Sequence, residues 1–229
     1  MIERLSILVR KEYKLYLRNR EFFIGILIFN ALLTVLVSAL FRNLQISVNE
    51  IGLIASPYLW IILVLGVFRI MLQNLSEESR KLLFLKQTRD GFKSTEIFLA
   101  KLISGTMVSI FIVLIQSFVF IILMGFPAIM FSLFKLGLIY ILALPALVSL
   151  SIIGATISHR SSYEEVLMPI ILLPLILLLS VASVTVGESV FAGQDFDYGS
   201  FWFKLLAGLQ VLLVLTSELL FRVIAKLKV

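Results

Sequence analysis

The sequence predicts an all-α integral membrane protein with six transmembrane helices, preceded by an amphipathic helix on the membrane surface. Three observations lead there. Of the 229 residues, 60% are hydrophobic and 15% charged, and the mean hydropathy is +1.08, more apolar surface than a soluble domain of this size can hide. Charge-poor apolar runs recur six times, and about 20 residues at about 1.5 Å each cross a hydrocarbon core of about 30 Å. Lys and Arg are concentrated in alternate connections, as the positive-inside rule requires of a multi-pass chain.

Residues 1–21 form the first element. A basic start before an apolar run also opens a secretory signal, but here the basic region is too long and no Ala-x-Ala-like site follows. Ile2, Leu5, Val9 and Tyr16 fall near one helical face with Leu8 flanking, whereas Arg4, Lys11 and Arg18 recur on another. This pattern reads as an interfacial helix held by apolar burial and by attraction to anionic lipid; a solvated basic tail is the alternative.

The six spans follow at 22–41, 51–68, 102–124, 136–157, 166–187 and 201–221. In the first, Asn30, Thr34 and Ser38 share a face at i, i+4, i+8, and Gln116 lies within the third. These groups either line a path or join helices through hydrogen bonds. The fourth span contains Pro145, and the fifth contains Pro169 and Pro174, where a missing amide donor bends a helix. Pro169 and Pro174 are hinge candidates, with packing kinks the alternative. Lys204 and Glu218 stand near the ends of the sixth span, within reach of headgroups, and Trp202 sits where an interfacial aromatic would anchor it.

An even number of crossings places both termini on one side. Seventeen of the 20 basic residues precede the first span, lie between spans two and three or four and five, or follow the sixth; only Arg42, Lys135 and Lys204 mark the other face. Both termini are therefore expected in the cytoplasm, with the chain in the cell inner membrane. The connection at 69–101 then faces the cytoplasm. Within it, Ser76-Glu77-Glu78 offers an N-cap and acids for a first turn, and Ser94 with Glu96 suggests another short helix after the Asp90-Gly91 turn. Mixed charges interleaved with leucines suit a docking surface for a protein partner, or else a solvated linker.

Much chemistry is excluded. Cysteine is absent, and His159 is the single histidine, so neither thiol catalysis nor a histidine-based metal site is expected. His159 beside Arg160 reads as a loop histidine rather than a haem ligand. The nearest approach to a phosphate-binding loop, Gly91-Phe92-Lys93-Ser94-Thr95, has Phe92 between glycine and lysine and lacks the upstream glycine. Neither Gly-x-Ser-x-Gly nor His-Glu-x-x-His occurs. No ionisable group lies deep in the first five spans, which argues against a proton-coupled carrier. The net charge of +6 is accounted for by membrane sidedness, so no nucleic-acid partner is expected. No catalytic, cofactor or metal residue is assigned, and the chain reads as a non-enzyme whose hydrolytic engine belongs to another subunit.

The order of features resembles the haem exporter protein B family (CcmB), the permease subunit of the cytochrome c maturation ABC transporter. The residues that carry the resemblance are Gly154-Ala155, Ser158-His159-Arg160 and the run from Glu165 to Leu175 with its Leu-Pro-Leu end. Leu8-Val9-Arg10-Lys11-Glu12 and Phe98-Leu99-Ala100-Lys101-Leu102 add to it. Glu77-Glu78 is followed by Ser79-Arg80 where that family commonly has glycine. ABC-2-like permeases in general share the architecture. The resemblance implies a permease coupled to a separate ATPase (CcmA-like), alongside a haem-handling membrane protein (CcmC-like), a small helper (CcmD-like) and a haem chaperone (CcmE-like). A permease dimer is a further expectation. ATP would be bound by the ATPase and haem handled by the partners. Coupling would fall to the 73–101 segment, with Glu77, Glu78, Arg80, Arg89 and Asp90 as contact candidates. The alternative is a general ABC-2 permease exporting lipid, glycan or drug.

Overall fold

The computed structural model describes residues 2–18, 20–43, 48–80, 92–124, 127–158, 164–191 and 199–226. Among them are seven helices: α1 (Ile2–Arg18), α2 (Arg20–Asn43), α3 (Val48–Arg80), α4 (Ser94–Met124), α5 (Pro127–Ser158), α6 (Glu164–Phe191) and α7 (Phe201–Lys226). No strand occurs among the described residues.

Five helices carry stretches long and apolar enough to cross a bilayer: Phe23–Phe41, Ser94–Phe120, Lys135–Gly154, Leu172–Ser189 and Phe201–Ile224. In α3 the apolar stretch Ile54–Ile70 lies where the second span was expected. Their arrangement inverts the rule for a soluble protein. Along α2, Ile24, Ile28, Leu32, Leu36 and Leu40 point outward, Leu32 with 62% exposure, while Asn30, Thr34 and Ser38 are buried. An outer surface this apolar is stable against lipid and not against water.

α5 lies at the centre, packed against α3, α4, α6 and α7. Ala143, Leu144, Ala146, Leu147 and Val148 are all buried, so apolar residues surround this helix rather than form one stripe. Pro127 opens it at a position whose amide needs no helical partner. Pro145 lies inside it, and the next amide, of Ala146, donates to Gln210 Oε1 of α7 at 3.3 Å. A neighbouring side chain thus supports the proline-perturbed turn. Serine caps α7: the Phe203 amide donates to Ser200 Oγ at 3.3 Å.

Two expectations about the 69–101 connection are corrected. Ser76 begins no helix, because α3 runs without a break to Arg80. No Gly or Pro stands between Gly66 and Arg80, and Glu, Gln, Leu and Arg all favour continuing a helix already nucleated by the span. Likewise Ser94 opens no separate short helix but the 31-residue α4, which continues to Met124. Of the expected start signal, Glu96 takes part, but on Lys93 rather than Ser94: the Lys93 amide donates to Glu96 Oε2 at 3.0 Å, and the Ile97 amide donates to Lys93 O at 3.1 Å.

The amphipathic face of α1 has protein neighbours. Its buried line is Leu8, Glu12 and Tyr16, with Leu5, Val9 and Tyr13 half-buried beside it. The helix rests chiefly on α4 and touches α2. The apolar periodicity located the seat but could not show that a carboxylate lies within it.

Candidate functional site

Two polar constellations stand out against this apolar body. The first joins α3, α5 and α6. Tyr140 OH of α5 donates to Ser56 O of α3 at 2.6 Å, and Ser56 Oγ donates to Val184 O of α6 at 3.3 Å. One turn along α3, Trp60 Nε1 donates to Ser180 Oγ of α6 at 2.6 Å, and Ser180 Oγ donates to its own Ile176 O at 2.6 Å. The Trp60 and Tyr140 rings meet at 5.2 Å. Burying aromatic rings whose polar ends have partners fixes three helices at once. The sequence held a signal for it: a tryptophan mid-span, away from the interfacial belt, needs an acceptor on another helix. Pro57, beside Ser56 and inside α3, was also missed.

The expected polar face of α2 proves more local. Thr34 Oγ1 donates to Asn30 O at 2.8 Å and Ser38 Oγ to Thr34 O at 2.7 Å, so both hydroxyls are spent on their own helix. Asn30 is different: its side-chain amide is buried with neither atom partnered among the described residues. It presses on Gly66 of α3, where an added Cβ would collide with Asn30 Nδ2. Gln116 does join helices, Nε2 donating to Leu59 O at 2.7 Å, while its Oε1 has no partner among the described residues.

The second constellation lies where the basic segments gather. Lys101 Nζ of α4 meets Glu12 Oε2 of α1 at 3.3 Å, the side chains 3% and 1% exposed. Phe98 of α4 packs on Phe221 of α7, ring centroids 5.6 Å apart. Glu218 pairs with Arg222 one turn on, which neutralises the acid near the end of α7. The start of α4, the end of α7 and α1 therefore share one end of the molecule. α3 arrives at that end too, since it runs antiparallel to α2: Phe41 meets Tyr58 at 5.7 Å, Asn30 meets Gly66, and Arg69 lies over Phe29 at 5.5 Å.

Of the expected contact candidates, Glu77, Glu78 and Arg80 complete the last turns of α3, their side chains lying outside the described residues. Arg89, Asp90 and His159 lie wholly outside them. α6 is helical through Pro169 and Pro174, with Pro174 exposed.

A bundle of helices with an apolar outer surface and polar groups buried inside it is the architecture of a membrane domain. The model of the ABC-2 type transporter family matches residues 3–185, from α1 to the last turns of α6, and the chain belongs to that family. Membership places it in a bilayer and implies an ATPase partner. Neither the curated proteins nor the solved structures yielded a match.

Proposed function

We propose that the chain is the permease subunit of an ABC transporter, crossing the inner membrane six times with both termini cytoplasmic, and that a separate ATPase subunit drives it. The observation that carries this reading is the end of α3. The helix continues past its apolar run, which ends at Leu72, through Gln73 to Arg80, about 10 Å at about 1.5 Å per residue. It does so at the end where α1, α4 and α7 are joined. A helix that leaves the bilayer still attached to the bundle is a lever, and Glu77, Glu78 and Arg80 stand on it, with Arg89 and Asp90 in the segment that follows. Force applied there reaches α5 and α6 through Ser56, Trp60 and Tyr140. Pro169 and Pro174 are the hinge in that path.

The more specific reading is cytochrome c maturation, in which ATP hydrolysis by the partner drives release of a haem-loaded chaperone or export of haem. Support comes from the run Glu165 to Leu175, the Ser158-His159-Arg160 turn and the Phe98 to Leu102 segment, which resemble the haem exporter B family. A general ABC-2 exporter of lipid, glycan or drug is the second reading, favoured by a family match that extends no further than the ABC-2 type transporter class.

Charge reversal tests the coupling. The double substitution Glu77→Lys with Glu78→Lys is expected to cut co-purification of the ATPase by roughly tenfold or more, because like charges set against an interface cost several kcal/mol. Unchanged recovery of the ATPase would remove these residues from the interface. Loss of haem-loaded chaperone release on deletion of the chain separates the two readings: normal cytochrome c assembly in the deletion strain leaves the general exporter.

A further inference from the structure

A groove of about 600 Å³ runs between α1 and α4. Leu5, Val9 and Tyr13 form one wall, and Met107, Ile110 and Phe111 form the other. Its polar groups come from α1 alone, where exposed Ser6 and Arg10 border it. The groove is open along one side, with Met107 47% and Phe111 50% exposed. Such a cleft is amphipathic in one direction, apolar along α4 and cationic at α1.

Its depth can be set from α4. Lys101, which meets Glu12, belongs to the basic end, and Phe111 lies ten residues further along, about 15 Å at about 1.5 Å per residue. The walls therefore reach from the headgroup level into the acyl region. α1 carries Arg4, Arg10, Lys11, Lys14 and Arg18 against Glu3 and Glu12, and Glu12 is paired with Lys101. No carboxylate among the described residues pairs with Arg10. The local charge thus selects an anion, and the apolar wall selects a chain.

We propose that this groove binds one anionic phospholipid of the adjoining leaflet, its phosphate on Arg10 and Ser6 and an acyl chain along Met107, Ile110 and Phe111. A polypeptide occupant is disfavoured because the groove opens beside exposed apolar residues of α4 that require hydrocarbon around them. The bound lipid completes the seat of α1, so lipid charge bears directly on a helix clamped to α4. This inference is independent of what the transporter exports and of the ATPase contact.

The full chain in phosphatidylcholine nanodiscs, doped with phosphatidylglycerol or phosphatidylcholine bearing an acyl-chain diazirine, tests it, with labelled peptides mapped by mass spectrometry. Labelling at Met107 to Phe111 is expected to favour the phosphatidylglycerol probe by about fivefold, the factor one basic side chain supplies at an anionic surface. Arg10→Gln should bring it down to the phosphatidylcholine level, Ile110→Trp should abolish it by filling the groove, and Arg222→Gln should leave it unchanged. Labelling of the outward face of α7 around Leu215 serves as the reference for intact fold in every variant. Equal labelling by the two probes, or insensitivity to Arg10→Gln or to Ile110→Trp, would each overturn the proposal.

Discussion

Asn30 buries a side-chain amide with no partner among the described residues. Such an amide costs about 1–3 kcal/mol, and a Cβ at Gly66 would strike its Nδ2, so a side chain there requires Asn30 to move. The two positions are therefore coupled. Gly66→Ala alone is expected to destabilise the protein by about 1–3 kcal/mol through overpacking. Asn30→Ala alone should leave the melting temperature unchanged or raised, since the loss of packing is offset by removal of the unpaired amide. Combined, they should recover most of the Gly66→Ala loss, which a double-mutant cycle on detergent-solubilised thermal unfolding would register as a favourable interaction term. Additive effects would mean that the close approach of α2 and α3 is not what excludes a side chain at Gly66.

Between elements, the buried Glu12–Lys101 pair ties α1 to α4. A buried pair is expensive to break one-sidedly, because the survivor is left charged in a poorly solvated place, so Glu12→Gln or Lys101→Met is expected to cost about 3–5 kcal/mol. Replacing both, Glu12→Leu with Lys101→Met, should restore most of it. The readout is protease accessibility of α1, which should rise in each single variant and return toward the native rate in the double. The pair also shows what the sequence could and could not disclose. Residues 22–41 and 201–221 announced their helices because lipid demands long apolar runs, and periodicity placed α1 within a residue of its true seat. Glu12 was unreadable as a buried group: only the approach of α4, 89 positions away, desolvates it. The 69–101 connection was misread for the opposite reason. Ser76 and the two glutamates are good capping residues, yet local capping chemistry yields to a ladder of hydrogen bonds already in place from the span. In the polar core, Gln116 was legible as helix glue, whereas Ser56, Trp60 and Tyr140 come together from three helices and share no sequence pattern.

At the scale of the whole molecule, Glu12 meets Lys101 and Phe98 meets Phe221 at one end, and the topology expected from the positive-inside count would put 17 of the 20 basic residues on that side. α3 is the element on which this topology turns, because Pro57 lies inside it and Arg69 interrupts its apolar run. Its neighbours hold it in the bundle. Ser56, Trp60 and Leu59 are tied to α5, α6 and α4 through Tyr140, Ser180 and Gln116, and Arg69 lies over Phe29, so protein rather than lipid surrounds much of its described stretch. α3 should therefore cross fully. Alkaline phosphatase fused within 44–47 is expected to be active and the same enzyme fused within 81–91 inactive, while a fluorescent protein fused after Val229 should fluoresce. Equal phosphatase activity at the first two sites would mean that α3 re-enters on the side it left, and every later helix would then run in the opposite sense to the one its charges prescribe.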